Sequence, residues 1–339
     1  MKINNRRYTG SKYKLMPWIK NLIIENCNEH ESLFDVFGGT GVVTAELLEI
    51  TNINYINDFL YSNEVFYKAF FEQSTFDVEK LEKYRTMFNG INKDELPNNY
   101  VSDNYGDKYF KLEDAKLIGY LREQIEYEKN SGHVNEKEYH VLLASLLYSL
   151  DKSANTVGHY EAYIKGKVIR STFVFDLVEP IDTDNEINIY REDSNELAKR
   201  IKADIAFIDP PYNSRQYSRF YHVLETIVKW DKPKLTGTAM KPTEENMSDY
   251  CRNSAPQVFK ELIDNLKVKY IVVTYNNTYD SKSTSSRNKI TLDQIKSVLE
   301  GRGKTKIYEK DYHRFNAGKT NASNHKELVF ITKVGIFNE

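Results

Sequence analysis

Ser32-Leu33-Phe34-Asp35-Val36-Phe37-Gly38-Gly39-Thr40-Gly41 is the stretch whose reading decides the fold. Residues 32 to 36 form an apolar run of strand length, and the glycines that follow make a turn into the helical pattern Val42 to Ile50. Glycine lets a backbone come close to a ligand, and a strand-turn-helix unit of this kind is the switch-point geometry of open α/β sheets. A dinucleotide fingerprint would want a further glycine where Thr44 stands, so a nicotinamide ligand is disfavoured. Nineteen residues after Gly39, Asp58 closes the strand-like run Ile53 to Asn57. An acidic side chain there can take both hydroxyls of a ribose, so an adenosine-type ligand is expected.

Working outward, further strand-like runs lie near 187 to 190, 204 to 208, 270 to 275 and 327 to 332, alternating with helical patterns. This predicts an α/β fold with a mostly parallel sheet and helices on both faces. Between Asp77 and Pro180 the pattern changes. Charged helical stretches, Val78 to Met87 and Leu112 to Lys129, flank a loop from Gly90 to Gly106 that is rich in Asn and Asp. Tyr139, Leu142, Leu143, Leu146, Leu147 and Leu150 then recur at helical spacing and predict one apolar, core-facing helix face. At 339 residues, one large domain with a sizeable insertion, or two domains, is expected.

A second constellation carries chemistry. Asp209-Pro210-Pro211-Tyr212 follows the apolar run Ile205 to Ile208, so a carboxylate sits at the carboxyl end of a buried strand. Pro-Pro stops strands and Asp is common in turns, so the tetrad alone could be an ordinary strand exit. With the glycine turn upstream, another reading prevails. The Asp209 carboxylate and the Pro210 carbonyl can both accept hydrogen bonds from an exocyclic amine, and Tyr212 can stack on the ring that carries it.

Tyr8-x-Gly10-x-Lys12, Phe37-x-Gly39-x-Gly41 and Asp209-Pro210-Pro211-Tyr212, in that order, resemble the signatures of the α-group of S-adenosylmethionine-dependent DNA adenine-N6 methyltransferases, the Dam-like class. The runs Leu143 to Tyr163 and Asn213 to Glu225 resemble the branch found in type IIS restriction-modification systems. The resemblance implies a Rossmann-like methyltransferase sheet, formed by residues 1–76 and 181–339, and an inserted, mostly helical target-recognition domain at 77–180. It implies S-adenosylmethionine as cofactor, double-stranded DNA as substrate and a cognate restriction endonuclease as functional partner. Asp209, Pro210, Pro211 and Tyr212 would be catalytic. Tyr8, Lys12, Phe37, Gly39, Gly41, Asp58, Asp193, Ser194 and Asp209 would hold the cofactor, Lys12 near its carboxylate or the target base. Asp35 is expected to brace the glycine turn, and His222 to be a satisfied core or surface histidine. The polar loop Asn213 to Tyr217 is expected to fill the gap left by a flipped base or to clamp the strand.

Composition narrows the alternatives. No run approaches 18 apolar residues and no hydrophobic signal core follows the basic start, so a cytoplasmic chain without membrane association, working as a monomer, is expected. Cys27 and Cys251 lack metal spacing, and neither follows a proline, which argues against a metal site and against cytosine-C5 chemistry. No Glu-x-Lys triplet is present for a fused nuclease. Net charge is −2, but residues 265 to 339 hold 14 Lys/Arg against 7 Asp/Glu, including Lys282, Arg287 and Lys289 in the run Ser281 to Lys289. Phosphate contacts are expected there. Cytosine-N4 methylation and an RNA or protein amine substrate remain open at this point, because the amine chemistry is shared.

Overall fold

The computed structural model describes residues 1–8, 10–166, 168–277, 287–311 and 326–335. In chain order its elements are α1 (Met16–Asn26), β1 (Ser32–Asp35), α2 (Val42–Leu47), β2 (Ile53–Asn57), α3 (Tyr61–Phe71), α4 (Val78–Asn89), α5 (Tyr100–Tyr105), α6 (Leu112–Asn130), α7 (Glu136–Ser153), β3 (Glu186–Tyr190), α8 (Ser194–Ala198), β4 (Lys202–Ile208), α9 (Tyr217–Phe220), α10 (His222–Lys229), α11 (Ala255–Asn265), β5 (Lys267–Asn276), α12 (Leu292–Glu300), β6 (Gly303–Asp311) and β7 (Lys326–Val334). They form two units. Residues 12–59, 184–216 and 246–339 make a sheet unit, and residues 1–11, 60–183 and 217–245 make a helical unit.

The sheet has the order β3-β2-β1-β4-β5-β7-β6. Strands β1 to β5 run parallel, and β7 is antiparallel to both β5 and β6. Alternation along each strand distributes side chains to two cores. Leu33, Ile205, Phe207 and Val272 face α1 and α2. Phe34, Ala206, Ile208, Ile271 and Val273 face α8, α11 and α12. Strand order reverses between β1 and β4, whose register sets Asp35 beside Phe207. This is the doubly wound, Rossmann-like sheet expected from sequence, and sheets of this kind bind ligands outside the carboxyl ends of the strands at the switch point, here β1 and β4. Two details differ. Helix α2 stops at Leu47, with residues 48 to 50 closing in a turn. Strand β6 was not expected, because Gly303–Asp311 is an edge strand exposed on both faces and its lysines hide the usual apolar alternation.

The helical unit is built around α7, where Lys137 to Asp151 are all buried. Sequence spacing predicted a single apolar face; the opposite face is buried too, and several polar side chains on it have specific partners. Lys137 donates to the Lys68 and Ala69 carbonyls at the end of α3 (3.0 and 2.8 Å), Ser145 takes the Val178 N–H (2.9 Å), and Ser149 takes the Asp176 N–H (3.0 Å). Glu225 of α10 accepts the Tyr61 and Ser62 N–H groups at the start of α3 (3.0 and 2.9 Å). Residues 1–11, 60–76, 181–183 and 217–245 belong to one unit with the whole of 77–180. The expected loop Gly90 to Gly106 contains α5, started by Asn99 capping the Val101 and Ser102 N–H groups. Among the described residues no helix is long and apolar enough to cross a membrane.

Candidate active site

Proline cannot donate to a strand ladder, so β4 ends at Ile208, paired with Val273, and Asp209 leaves the sheet at its carboxyl edge. Its carboxylate is crowded with donors. Oδ2 pairs with the Lys12 ammonium at 2.9 Å, and Oδ1 accepts the Thr274 hydroxyl at 2.8 Å and the Tyr212 hydroxyl. Lys12 also donates to the Tyr212 hydroxyl at 2.8 Å and lies 5.0 Å from the centre of its ring. The tetrad's own shape is held from behind. The Tyr212 ring packs on Tyr275 with centroids 4.6 Å apart, and its carbonyl accepts the Lys289 N–H at 2.7 Å. Lys12 is almost fully buried.

The glycine turn is fixed to the end of β2. Gly38 donates to the Asn57 carbonyl (2.7 Å), Gly39 to Asp58 Oδ2 (2.9 Å) and Gly41 to the Gly38 carbonyl (2.7 Å). Gly39 and Gly41 have φ of 53° and 78°, a region in which a side chain is strained, which is why these positions are glycine. Asn57 ties the neighbouring strand ends together, donating to the Val36 and Glu192 carbonyls and accepting the Glu192 N–H at 3.0 Å. Asp193 caps α8 through the Asn195 and Glu196 N–H groups (2.9 and 3.1 Å), and the Ser194 hydroxyl donates to the Val36 carbonyl (3.3 Å). Phe37 meets Tyr250 edge-on with centroids 4.9 Å apart.

Asp35 is wholly buried and takes the Thr44 hydroxyl at 2.9 Å, consistent with a brace for the turn. Burial pushes its carboxyl up to about 7, against the Thr44 bond and with the nearby Asp209 and Asp58 charges adding to the rise.

The sheet unit thus gathers Lys12, Phe37, Gly39, Gly41, Asp58, Asp193, Ser194 and the tetrad around the ends of adjacent strands. Tyr8 belongs to the helical unit, where it stacks on Tyr221 (4.8 Å, 6°) and Arg6 lies over its ring. Thr274, Tyr275, Asn57 and Tyr250 were not anticipated. A threonine inside the apolar run Tyr270 to Tyr275 was the available signal for the first of them. Gln216 does not project as a free polar group: its amide donates to the Ser248 carbonyl (2.9 Å) and accepts the Ser248 N–H (2.7 Å). His222 is core, bonded to the Tyr160 carbonyl at 2.9 Å and held down to about 3 by burial. Lys282 lies outside the described residues; Arg287 is exposed, and Lys289 donates to Asn253 at 3.0 Å.

A glycine turn at a switch point thus stands beside a strand-end carboxylate with an aromatic partner. Residues 8–290 match the model of the D12 class N6 adenine-specific DNA methyltransferases. The chain is 31% identical over 332 residues to the type II methyltransferase M.NlaIII of Neisseria lactamica, covering 94% of this chain and 95% of that one. It is 30% identical to M.CviAII of Paramecium bursaria Chlorella virus 1, covering 97% and 99%. Identity to M.FokI of Planomicrobium okeanokoites is also 30%, over 96% of this chain but 52% of that one. The chain belongs to the D12 class and is an adenine-specific DNA methyltransferase. The resemblance read from the three motifs is borne out, and adenine N6 takes precedence over cytosine N4 and over RNA or protein amines.

Proposed function

We propose that the enzyme methylates N6 of an adenine flipped out of double-stranded DNA at a specific sequence, using S-adenosylmethionine, as the modification partner of a restriction endonuclease. The observation that carries this reading is the Asp209 carboxylate at the edge of β4, bonded to Lys12, Tyr212 and Thr274. The cofactor's fit rests on the positive-φ turn at Gly39 and Gly41, on Asp58 bonded to that turn, and on a buried Asp35 Oδ1 that has no hydrogen-bond partner. When bound, S-adenosylmethionine supplies an electrophilic methyl group on a sulfonium. Within the sheet unit Lys12, Phe37, Gly39, Gly41, Asp58, Asp193, Ser194 and Asp209 would hold it.

The adenine amine is a poor nucleophile because its lone pair is delocalised into the ring. Asp209 and the Pro210 carbonyl accept its N–H bonds and turn the lone pair toward the methyl group, so positioning supplies much of the rate. For this the Tyr212 hydroxyl must leave Asp209, freeing an acceptor oxygen and letting the ring stack on the base. Flipping costs a few kcal/mol, which stacking and DNA contacts offset. Asp209 acts as an orienting acceptor, and the surplus proton of the product amine goes to solvent.

Segment 77–180 is proposed to select the target sequence, with Arg287 and Lys289 contacting phosphates without reading bases. Methylome sequencing of cells expressing the chain should show one methylated adenine motif; unmodified genomes alongside active cofactor binding would overturn the reading. Grafting 77–180 into a related enzyme should transfer that motif. An active graft that keeps its host's motif would move recognition elsewhere. Neutralising Arg287 and Lys289 should weaken all DNA alike and flatten the salt slope by roughly one unit per lost phosphate contact.

A further inference from the structure

Asp35 is the carboxylate that the chemistry above leaves unused. It ends β1 directly before the glycine turn and is wholly buried. Its Oδ2 takes the Thr44 hydroxyl from α2, and its Oδ1 has no hydrogen-bond partner. The charged groups acting on it are both carboxylates, Asp58 at the end of β2 and Asp209 at the end of β4. Each of those has its own answering group: the Gly39 N–H reaches Asp58 at 2.9 Å, and the Lys12 ammonium reaches Asp209 at 2.9 Å. Helix α2 brings no acidic side chain in its first turn and no basic one in its last. A buried oxygen without a donor, beside two like charges, favours the protonated carboxyl, and a cation arriving next to it reverses that preference.

We propose that Asp35 is a proton-linked counter-ion of the cofactor: protonated in the free enzyme, it releases its proton to solvent when a positively charged ligand enters the glycine-turn site. This rests on the S-adenosylmethionine reading, since that molecule carries a sulfonium and an ammonium group. Only the O–H bond of Asp35 breaks, and the buffer takes the proton. The link restricts like-charge repulsion among Asp35, Asp58 and Asp209 to the state in which a cation compensates it. With the free carboxyl near 7, affinity for the cofactor should rise with pH below neutrality and flatten above it. The sign is fixed by the release: low pH opposes it.

Isothermal titration of the full chain with S-adenosylmethionine, in buffers of different ionisation enthalpy near pH 6.5, counts the protons released. At that pH the cofactor's own α-amino group is already charged, its ordinary value being about 7.7 to 8.0. Wild type should release roughly three-quarters of a proton, and Asp35→Asn none. S-adenosylhomocysteine, which lacks the sulfonium charge, should release fewer than S-adenosylmethionine. Thr44→Val removes the side-chain hydrogen bond, the larger of the two Thr44 bonds that favour ionisation, while keeping the carboxyl, so release should persist to higher pH. Cofactor binding by wild type with no buffer dependence, or equal release by Asp35→Asn, overturns the proposal and leaves the cofactor reading standing. Absence of any binding overturns both.

Discussion

Asp209 in the sheet unit and Asp151 in the helical unit keep nearly the same company. Asp209 accepts a tyrosine hydroxyl from Tyr212 and pairs with Lys12. Asp151 accepts the Tyr160 hydroxyl at 2.8 Å and the Arg7 N–H at 3.2 Å, with the charges of Arg6 and Arg7 opposing the rise that burial imposes on it. What differs is access. The Asp209 side chain keeps 20% of its surface exposed, at a strand end where two prolines have stopped the ladder. Asp151 keeps 3%, in the last turn of a helix buried on every side. Tyr160 is locked further, its carbonyl accepting the Tyr109 hydroxyl (2.7 Å) and bonding His222. Bonds at the strand end can be exchanged for bonds to a ligand. Those inside α7 have no replacement, so they act as structure.

The largest effect should come from removing each carboxylate. Asp209→Ala is expected to lower methyl transfer by about 10²- to 10³-fold, as when a preorganised polar group is lost from an active site, with DNA binding largely kept and a loss of rate far beyond any loss of fold. Asp151→Ala should do the reverse. The buried Tyr160 hydroxyl would lose its acceptor at a cost of about 1–3 kcal/mol, seen as a melting temperature lowered by several degrees while the rate at low temperature persists. Full transfer activity in Asp209→Ala would remove the proposed site. Selective loss of rate, without loss of stability, in Asp151→Ala would erase the distinction between the two carboxylates.

The tyrosines sharpen the same contrast. Tyr212→Ala should be severe, forfeiting about 1–3 kcal/mol of base stacking. Tyr212→Phe keeps the ring and frees an Asp209 oxygen, so most of the activity should remain. Tyr160→Phe should cost about 1 kcal/mol of stability and leave the rate alone. Steady-state kinetics and thermal melts on the three variants separate these outcomes; equal damage from Phe and Ala at position 212 would show that the hydroxyl, and not the ring, is needed.

This contrast also marks where sequence reading stops. Phe34 and Asp35 of β1, the glycine turn and the tetrad were legible because short-range patterns carry them: apolar alternation, glycine before a helix, proline after a strand. Thr274 and Tyr275 were not, since their contact with Asp209 and Tyr212 depends on β5 lying beside β4. Lys12 was placed near the cofactor or base from its motif; only the fold shows its pairing with Asp209. The burial of the second face of α7 was hidden because Lys137, Ser145 and Asp151 read as solvent-facing until their distant partners are known. Edge strand β6 failed for the opposite reason, its surface being too polar to register as a strand.

A smaller effect tests whether the exchangeable character extends along the sheet edge to the glycine turn. Gly39→Val forces a β-branched residue to a φ of 53° and obstructs close approach, and Asp58→Ala removes an acceptor for ribose hydroxyls as well as the Gly39 N–H. Each should weaken S-adenosylmethionine binding about 10-fold, the worth of one hydrogen bond or one strained turn. Calorimetry showing unchanged cofactor affinity in both would confine the functional edge to the tetrad.

The smallest expected effect concerns Thr274, the donor to Asp209 that sequence did not reveal. Its hydroxyl reaches Oδ1 at 2.8 Å from β5 and is almost fully buried, so Thr274→Val keeps the shape and deletes one neutral hydrogen bond. Lys12 and Tyr212 remain as donors, and the carboxylate should stay in place with a looser orientation. A loss of about 0.5–1.5 kcal/mol in transition-state stabilisation, roughly 2- to 12-fold in kcat/KM, follows, carried by kcat if the bond orients the acceptor for the amine. Were the hydroxyl only a packing element of β5, as Ser145 and Ser149 are in α7, the same substitution would shift the melting temperature and leave kcat untouched. That result would move Thr274 to the structural side of the comparison, leaving Lys12 and Tyr212 as the groups that hold Asp209 for its substrate.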